Sequence, residues 1–148
     1  MWRRILAGVL GVVMAFSTVA VIEAISHFIY PPPAKLDLND MKQLQAFIKT
    51  LPVGAFVFVM VSWWLAILFG SVLAAVIAKE NVKRYAWIVR GFVLVASVMN
   101  VAMIPHPTWF LVVSMVGIVA STLLSVRFLA RLERERIRGQ RVFWGSFG

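Results

Sequence analysis

The chain has 148 residues, 61% of them hydrophobic, with a formal net charge of +9 and a mean hydropathy of +0.89. A soluble domain is nearer 45–50% apolar, so too little polar surface exists here to cover a water-soluble globule, and lipid must solvate most of the chain. Cysteine is absent, which excludes disulfides and thiolate metal sites. The arginines flank apolar stretches, which argues against a nucleic-acid surface.

The first apolar segment covers 5–29, enough to cross a hydrocarbon core of about 30 Å with some tilt. Its opening, Trp2-Arg3-Arg4 before an apolar run, resembles a signal peptide, but the run exceeds the roughly 7–15 residues of a signal h-region. It therefore reads as an uncleaved spanning helix. Ala7, Gly11 and Ala15 recur every four residues, a stripe that lets another helix approach closely.

Pro31-Pro32-Pro33 ends this helix by removing backbone donors, and Tyr30 stands where an interfacial aromatic belongs. Met41, Leu44, Phe47, Ile48 and Leu51 then recur at helical spacing, with Asp37 or Asn39 as the cap and Pro52 as the stop. This predicts a short amphipathic helix on the membrane surface, or alternatively an ordered loop capping the bundle.

The second span covers 53–78, with Ser62-Trp63-Trp64 near its middle and Gly70, Ala74 and Ala78 spaced by four. A short basic loop over 79–84 leads to the third span, 85–104, which carries Arg90, placed to snorkel back to the loop side, and Asn100. Pro105-His106-Pro107 breaks it. The fourth span covers 108–129, with Gly117, Ser121 and Ser125 spaced by four. A basic tail over 130–148 follows, expected to be a helical extension of mixed charge that stops near Gly139, with Phe143, Trp144 and Phe147 then able to fold back to the interface.

The predicted fold is all-α: a single membrane domain with four spans running up-down-up-down, and one surface helix between the first two. Twelve of the fifteen Lys and Arg fall on the side that holds both ends and the 79–84 loop. The positive-inside rule places that side in the cytoplasm. Arg131, Arg134, Arg136, Arg138 and Arg141 should then meet anionic lipid, at about 1 kcal/mol for each charge close to the surface.

Polar groups inside the spans supply the only candidate chemistry. Glu23 and His27 share one helix face, about 10 and about 5 Å inward from Tyr30 at roughly 1.5 Å per residue. His106 lies near the level of His27, and Asn100 and Ser62 near that of Glu23. The five are predicted to converge in the outward half of the bundle. An ionised carboxylate at such depth costs a few kcal/mol or more, so Glu23 must be neutral, paired or wet.

Several readings follow. In the plainest, Glu23 bonds Asn100 or Ser62 to fix helix register, and His27 bonds a carbonyl freed by the prolines. Glu23, His27 and His106 are also reasonable ligands for zinc, iron or copper, and His27 with His106 could hold a haem. Glu23 alone could serve a small proton-coupled transporter, although no pair of broken helices accompanies it. No Ser-His-Asp set, phosphate loop or paired carboxylates appears, which disfavours an ordinary hydrolase or kinase. The small-residue stripes favour a non-enzymatic accessory or scaffolding subunit of a larger membrane complex, or a homo-oligomer.

The blocks Glu23…His27…Tyr30-Pro31-Pro32-Pro33, Leu36-Asp37, Leu51-Pro52-Val53-Gly54, Asn100 and Ile104-Pro105-His106-Pro107-Thr108-Trp109 together resemble a family of small four-helix bacterial inner-membrane proteins without assigned activity. The resemblance stops before the arginine-rich tail. It implies the topology and a bacterial inner membrane, and carries no functional residue.

Overall fold

The computed structural model describes residues 2–33, 36–37, 40–78, 82–104 and 106–145. Among them are five helices: α1 (Trp2–Ile29), α2 (Met41–Thr50), α3 (Val53–Ala78), α4 (Val82–Met103) and α5 (Thr108–Gly145). All except α2 are long and apolar enough to cross a membrane, so this is a multi-pass membrane protein. Lys35, Asn39, residues 79–81, Pro105 and Phe147 lie outside the described residues.

The helices alternate in direction along the chain, but they do not form a simple ring in chain order. α3 is central and touches α1, α4 and α5, while α1 and α5 do not meet. The α1–α3 pair is the most extensive contact and rests on the small-residue stripes of both helices. Ala7 and Ala15 of α1 and Ala74 and Ala78 of α3 are buried. A Cβ on Gly70 would lie 2.7 Å from the Gly11 carbonyl oxygen, so the two backbones approach as only glycine allows. The pair is antiparallel: Arg3 Nε donates to the Ile77 carbonyl at one end (2.9 Å), and Tyr30 packs against Gly54 at the other. Arg3 thereby satisfies one of the carbonyls that α3 leaves open at its C-terminus.

α5 runs parallel to α3. Phe110 is fully buried, with Phe56 and Trp63 edge-on to it at 5.7 and 5.6 Å. Further along, Gly117 leaves the space that the Trp64 ring occupies. α4 completes the bundle, and its Phe16–Phe92 edge contact with α1 spans 5.3 Å.

Four sequence expectations need correction. α2 is capped by Asp40, whose Oδ1 accepts from Lys42 N (2.9 Å) and Gln43 N (3.4 Å). Asp40 is the residue immediately before the first helical position, where a carboxylate reaches the free N–H groups, whereas Asp37 lies too far upstream. α4 starts at Val82, so Arg84 is helical rather than part of the loop. Arg90 does not snorkel: it is 5% exposed and donates from Nη2 to Ser125 Oγ on α5 at 2.8 Å. α5 passes Gly139 and continues to Gly145, because one glycine costs only about 1 kcal/mol in a segment otherwise rich in helix formers. Arg131, Arg134 and Arg138 are exposed along this extension, and Arg136 and Arg141 belong to the same helix.

Gly70→Ala should lower stability by about 1–3 kcal/mol through overpacking of the α1–α3 contact. Gly91→Ala should leave it unchanged or higher, since nothing lies within 4 Å of a Cβ there. Unfolding in mixed micelles measures both, and equal effects would contradict the assigned seam.

Candidate functional site

At the α2 end of the bundle, α1, α3 and α4 enclose a cavity of ≈ 370 Å³. α1 contributes Glu23, Ser26 and His27, and Tyr30 follows at its end. α3 contributes Ala55, Phe56 and Val59, and α4 contributes Asn100, with Ile104 and His106 beyond it. α2 forms the roof. Its apolar face presents Leu44, Phe47, Ile48 and, just past the helix, Leu51, while Lys42 and Lys49 remain exposed. α2 is therefore both amphipathic and a lid on the bundle end, combining the two expected arrangements.

Four of the five predicted polar residues line this cavity: Glu23, His27, Asn100 and His106. Ser62 does not. It is fully buried, and its hydroxyl donates to the Val59 carbonyl of its own helix at 2.8 Å. The face of α3 that meets the cavities advances by four, through Ala55, Val59 and Trp63, and Ser62 falls beside it. Sequence reasoning missed Ser26 and the share that α2 takes in lining the cavity. The Leu44–Phe47–Ile48 face was legible, but the side of the connection on which it folds was not.

The polar groups have distinct roles. His106 Nδ1 lies 2.6 Å from the Ile104 carbonyl oxygen. A carbonyl can only accept, so Nδ1 carries the proton and Nε2 of the neutral ring is an acceptor. The ring stacks on Phe110 with centroids 4.5 Å apart and planes at 18°. It is thus His106, rather than the exposed His27, that bonds a carbonyl freed at a helix end. Burial holds the His106 imidazole below the ordinary histidine range, against a smaller upward pull from its bond to Ile104.

Asn100 Oδ1 is buried and without a hydrogen-bond partner. The expected register bond from Glu23 to Asn100 or Ser62 is not made: the Ser62 hydroxyl has turned to its own helix, and the buried Asn100 Oδ1 has no hydrogen-bond partner. The metal expectation is also corrected. Among the described residues, no three His, Asp or Glu side chains are grouped closely enough to hold an ion, so Glu23, His27 and His106 share a cavity without forming a ligand set. His27 on α1 and His106 beyond α4 stand on different walls of the cavity.

A second cavity of ≈ 300 Å³ continues along the α1–α4 seam. Glu23 and Asn100 line both cavities and so stand at their junction. Otherwise the inner cavity is almost wholly apolar, with Ala15, Phe16, Trp63, Phe92 and Ala96 in its walls. Compared with known proteins, the chain matches no protein-family model, no curated protein sequence and no solved structure.

His106 gives a pH prediction. Below the ordinary histidine pKa of about 6.5 the unfolded chain binds a proton that folded His106 resists, so stability falls with pH until the lower folded-state value is reached. Thermal unfolding between about pH 7.5 and about pH 5 should therefore lose more stability in the native protein than in His106→Gln. Identical losses would remove His106 from the account.

Proposed function

We propose that this protein is a binding protein of a bacterial inner membrane, with both ends of the chain cytoplasmic and the α2-covered cavity open to the outer face. Its ligand class is a small organic cation. The observation that carries this reading is the unpartnered Asn100 Oδ1 beside Glu23 in a cavity of ≈ 370 Å³. Concave, mainly apolar sites with a few convergent polar groups are the usual form of small-molecule pockets.

The residues that line the cavity bring chiefly acceptors: the Glu23 carboxylate, Asn100 Oδ1 and His106 Nε2. A ligand that supplies N–H donors and positive charge satisfies all three. It also provides the partner that an intramembrane carboxylate requires. An anionic or acceptor-rich ligand would leave the same atoms unsatisfied. Transport of such a cation, with Glu23 as the coupling group, is an extension of this reading rather than a competitor to it.

A second reading, that of an accessory subunit, draws on α5. Its 38 residues extend about 57 Å, nearly twice the roughly 30 Å hydrocarbon core. The charged last turns therefore project as a helix suited to docking or to anionic lipid.

Thermal unfolding in nanodiscs tests the first reading. Butylammonium and benzylammonium should raise the melting temperature in proportion to the logarithm of concentration once binding saturates. The rise should disappear in Glu23→Gln and Asn100→Leu and persist in Ser62→Ala. No shift, or a shift retained in Glu23→Gln, would refute cation binding at this site. A stoichiometric protein partner recovered without any such shift would favour the accessory reading.

A further inference from the structure

The two cavities meet at Glu23 and Asn100, and this shared wall narrows the ligand class. A cation held there has an apolar compartment immediately beneath it. From Glu23 to Phe16 along α1 is about 10 Å, and from Asn100 to Phe92 along α4 about 12 Å, at roughly 1.5 Å per residue. The Phe16–Phe92 contact at 5.3 Å closes the far end. Between these limits the walls are mostly small or apolar, Ala15, Ala20 and Ala96 among them.

The seam is also polarised. Beyond Phe92 it continues as a groove carrying Arg4 and Arg84 at the opposite membrane face. Glu23 is the acidic residue in the lining of the two cavities, and Arg4 and Arg84 are the basic residues in the groove at the inner end. A positive head group is thus drawn toward Glu23 and repelled from the arginine end. α1 and α4 run parallel and touch much less than α1 and α3 do, and Phe16, Ala20, Phe92 and Ala96 along their seam are exposed, so the inner cavity opens to lipid there.

We propose that the ligand is a single-chain amphiphilic amine, with its ammonium head between Glu23 and Asn100 and its alkyl tail in the inner cavity, reaching Phe16 and Phe92. This rests on the cation-binding reading and adds the tail. A chain of medium length fits, because Phe16–Phe92 sets the floor. The tail gains little over lipid by entering, since both surroundings are apolar. Selectivity therefore lies in the head, and the cavity fixes where the tail goes.

The test uses the full chain in nanodiscs and decylamine bearing a photoreactive diazirine at its terminal carbon. Irradiation followed by peptide mass spectrometry should place the label around Phe16 and Phe92–Val93. In Glu23→Gln that labelling should fall on the order of ten-fold, the loss of one charge-assisted hydrogen bond. Ala96→Phe, which fills the inner cavity, should move the label out of this region while preserving the butylammonium-induced stabilisation. Label scattered over lipid-facing positions, or unchanged in Glu23→Gln, would overturn the tail assignment. If butylammonium still stabilises the native protein in a Glu23-dependent way, the outer cation site survives that failure. If it does not, both readings fall.

Discussion

The close approach of α1 and α3 through Gly11 and Gly70 is the contact on which the other positions depend. In lipid, helices gain nothing from hiding apolar surface, because the surroundings are equally apolar. Association rests on van der Waals packing, and small residues on both sides maximise it. Ala7, Ala15, Ala74 and Ala78 extend the seam along the half of the bundle that holds the arginines. Toward α2 the same two helices carry Val19, Glu23 and Ser26 facing Phe56, Val59 and Trp63. The backbone-to-backbone stripe has ended there, and both cavities open in that half.

α4 and α5 are fixed to this pair by bulk rather than by smallness. Phe110, Phe56, Trp63 and the His106 ring form one aromatic cluster where α3 and α5 begin and α4 ends. The His106–Ile104 bond secures the turn beside it. That turn fixes the end of α4 and hence the height of Asn100. The polar junction is therefore located by two rigid features, the glycine seam on one side and the aromatic cluster on the other. Neither of them includes Glu23 or Asn100.

The spans and their stops were legible because prolines and apolar runs act locally. Pro31, Pro52 and Pro107 bracket the helices wherever the chain meets them. Counting residues back from those stops also placed Glu23, His27, Asn100 and His106 at compatible depths. Depth does not determine azimuth, however. Ser62 has the right depth and an off-face position, and a hydroxyl can always satisfy itself on its own helix. Arg90 was misread for a related reason. Its reach to water was evident from the sequence, but Ser125 as a partner on α5 depends on which helices become neighbours. The inner cavity had no sequence signal at all, since alanine, valine and phenylalanine describe packed and unpacked apolar space equally well.

How the fold treats its other polar groups gives Asn100 its weight. Thr18, Ser62, Ser97, Ser121 and Ser125 all donate to carbonyls of their own helices, and Arg90 reaches Ser125. Trp64 Nε1, Ser71 Oγ, Ser114 Oγ and Arg90 Nε share with Asn100 Oδ1 the lack of a partner, but none of them lines either cavity. Asn100 alone among the five belongs to the lining of the two cavities, and it does so together with Glu23. An unsatisfied carbonyl next to an intramembrane carboxylate is unfavourable for a merely structural element, because an apolar residue of similar size would pack at lower cost. The same pair becomes favourable once a positively charged donor enters, which is why the vacancy in hydrogen bonding and the local charge point to one ligand chemistry.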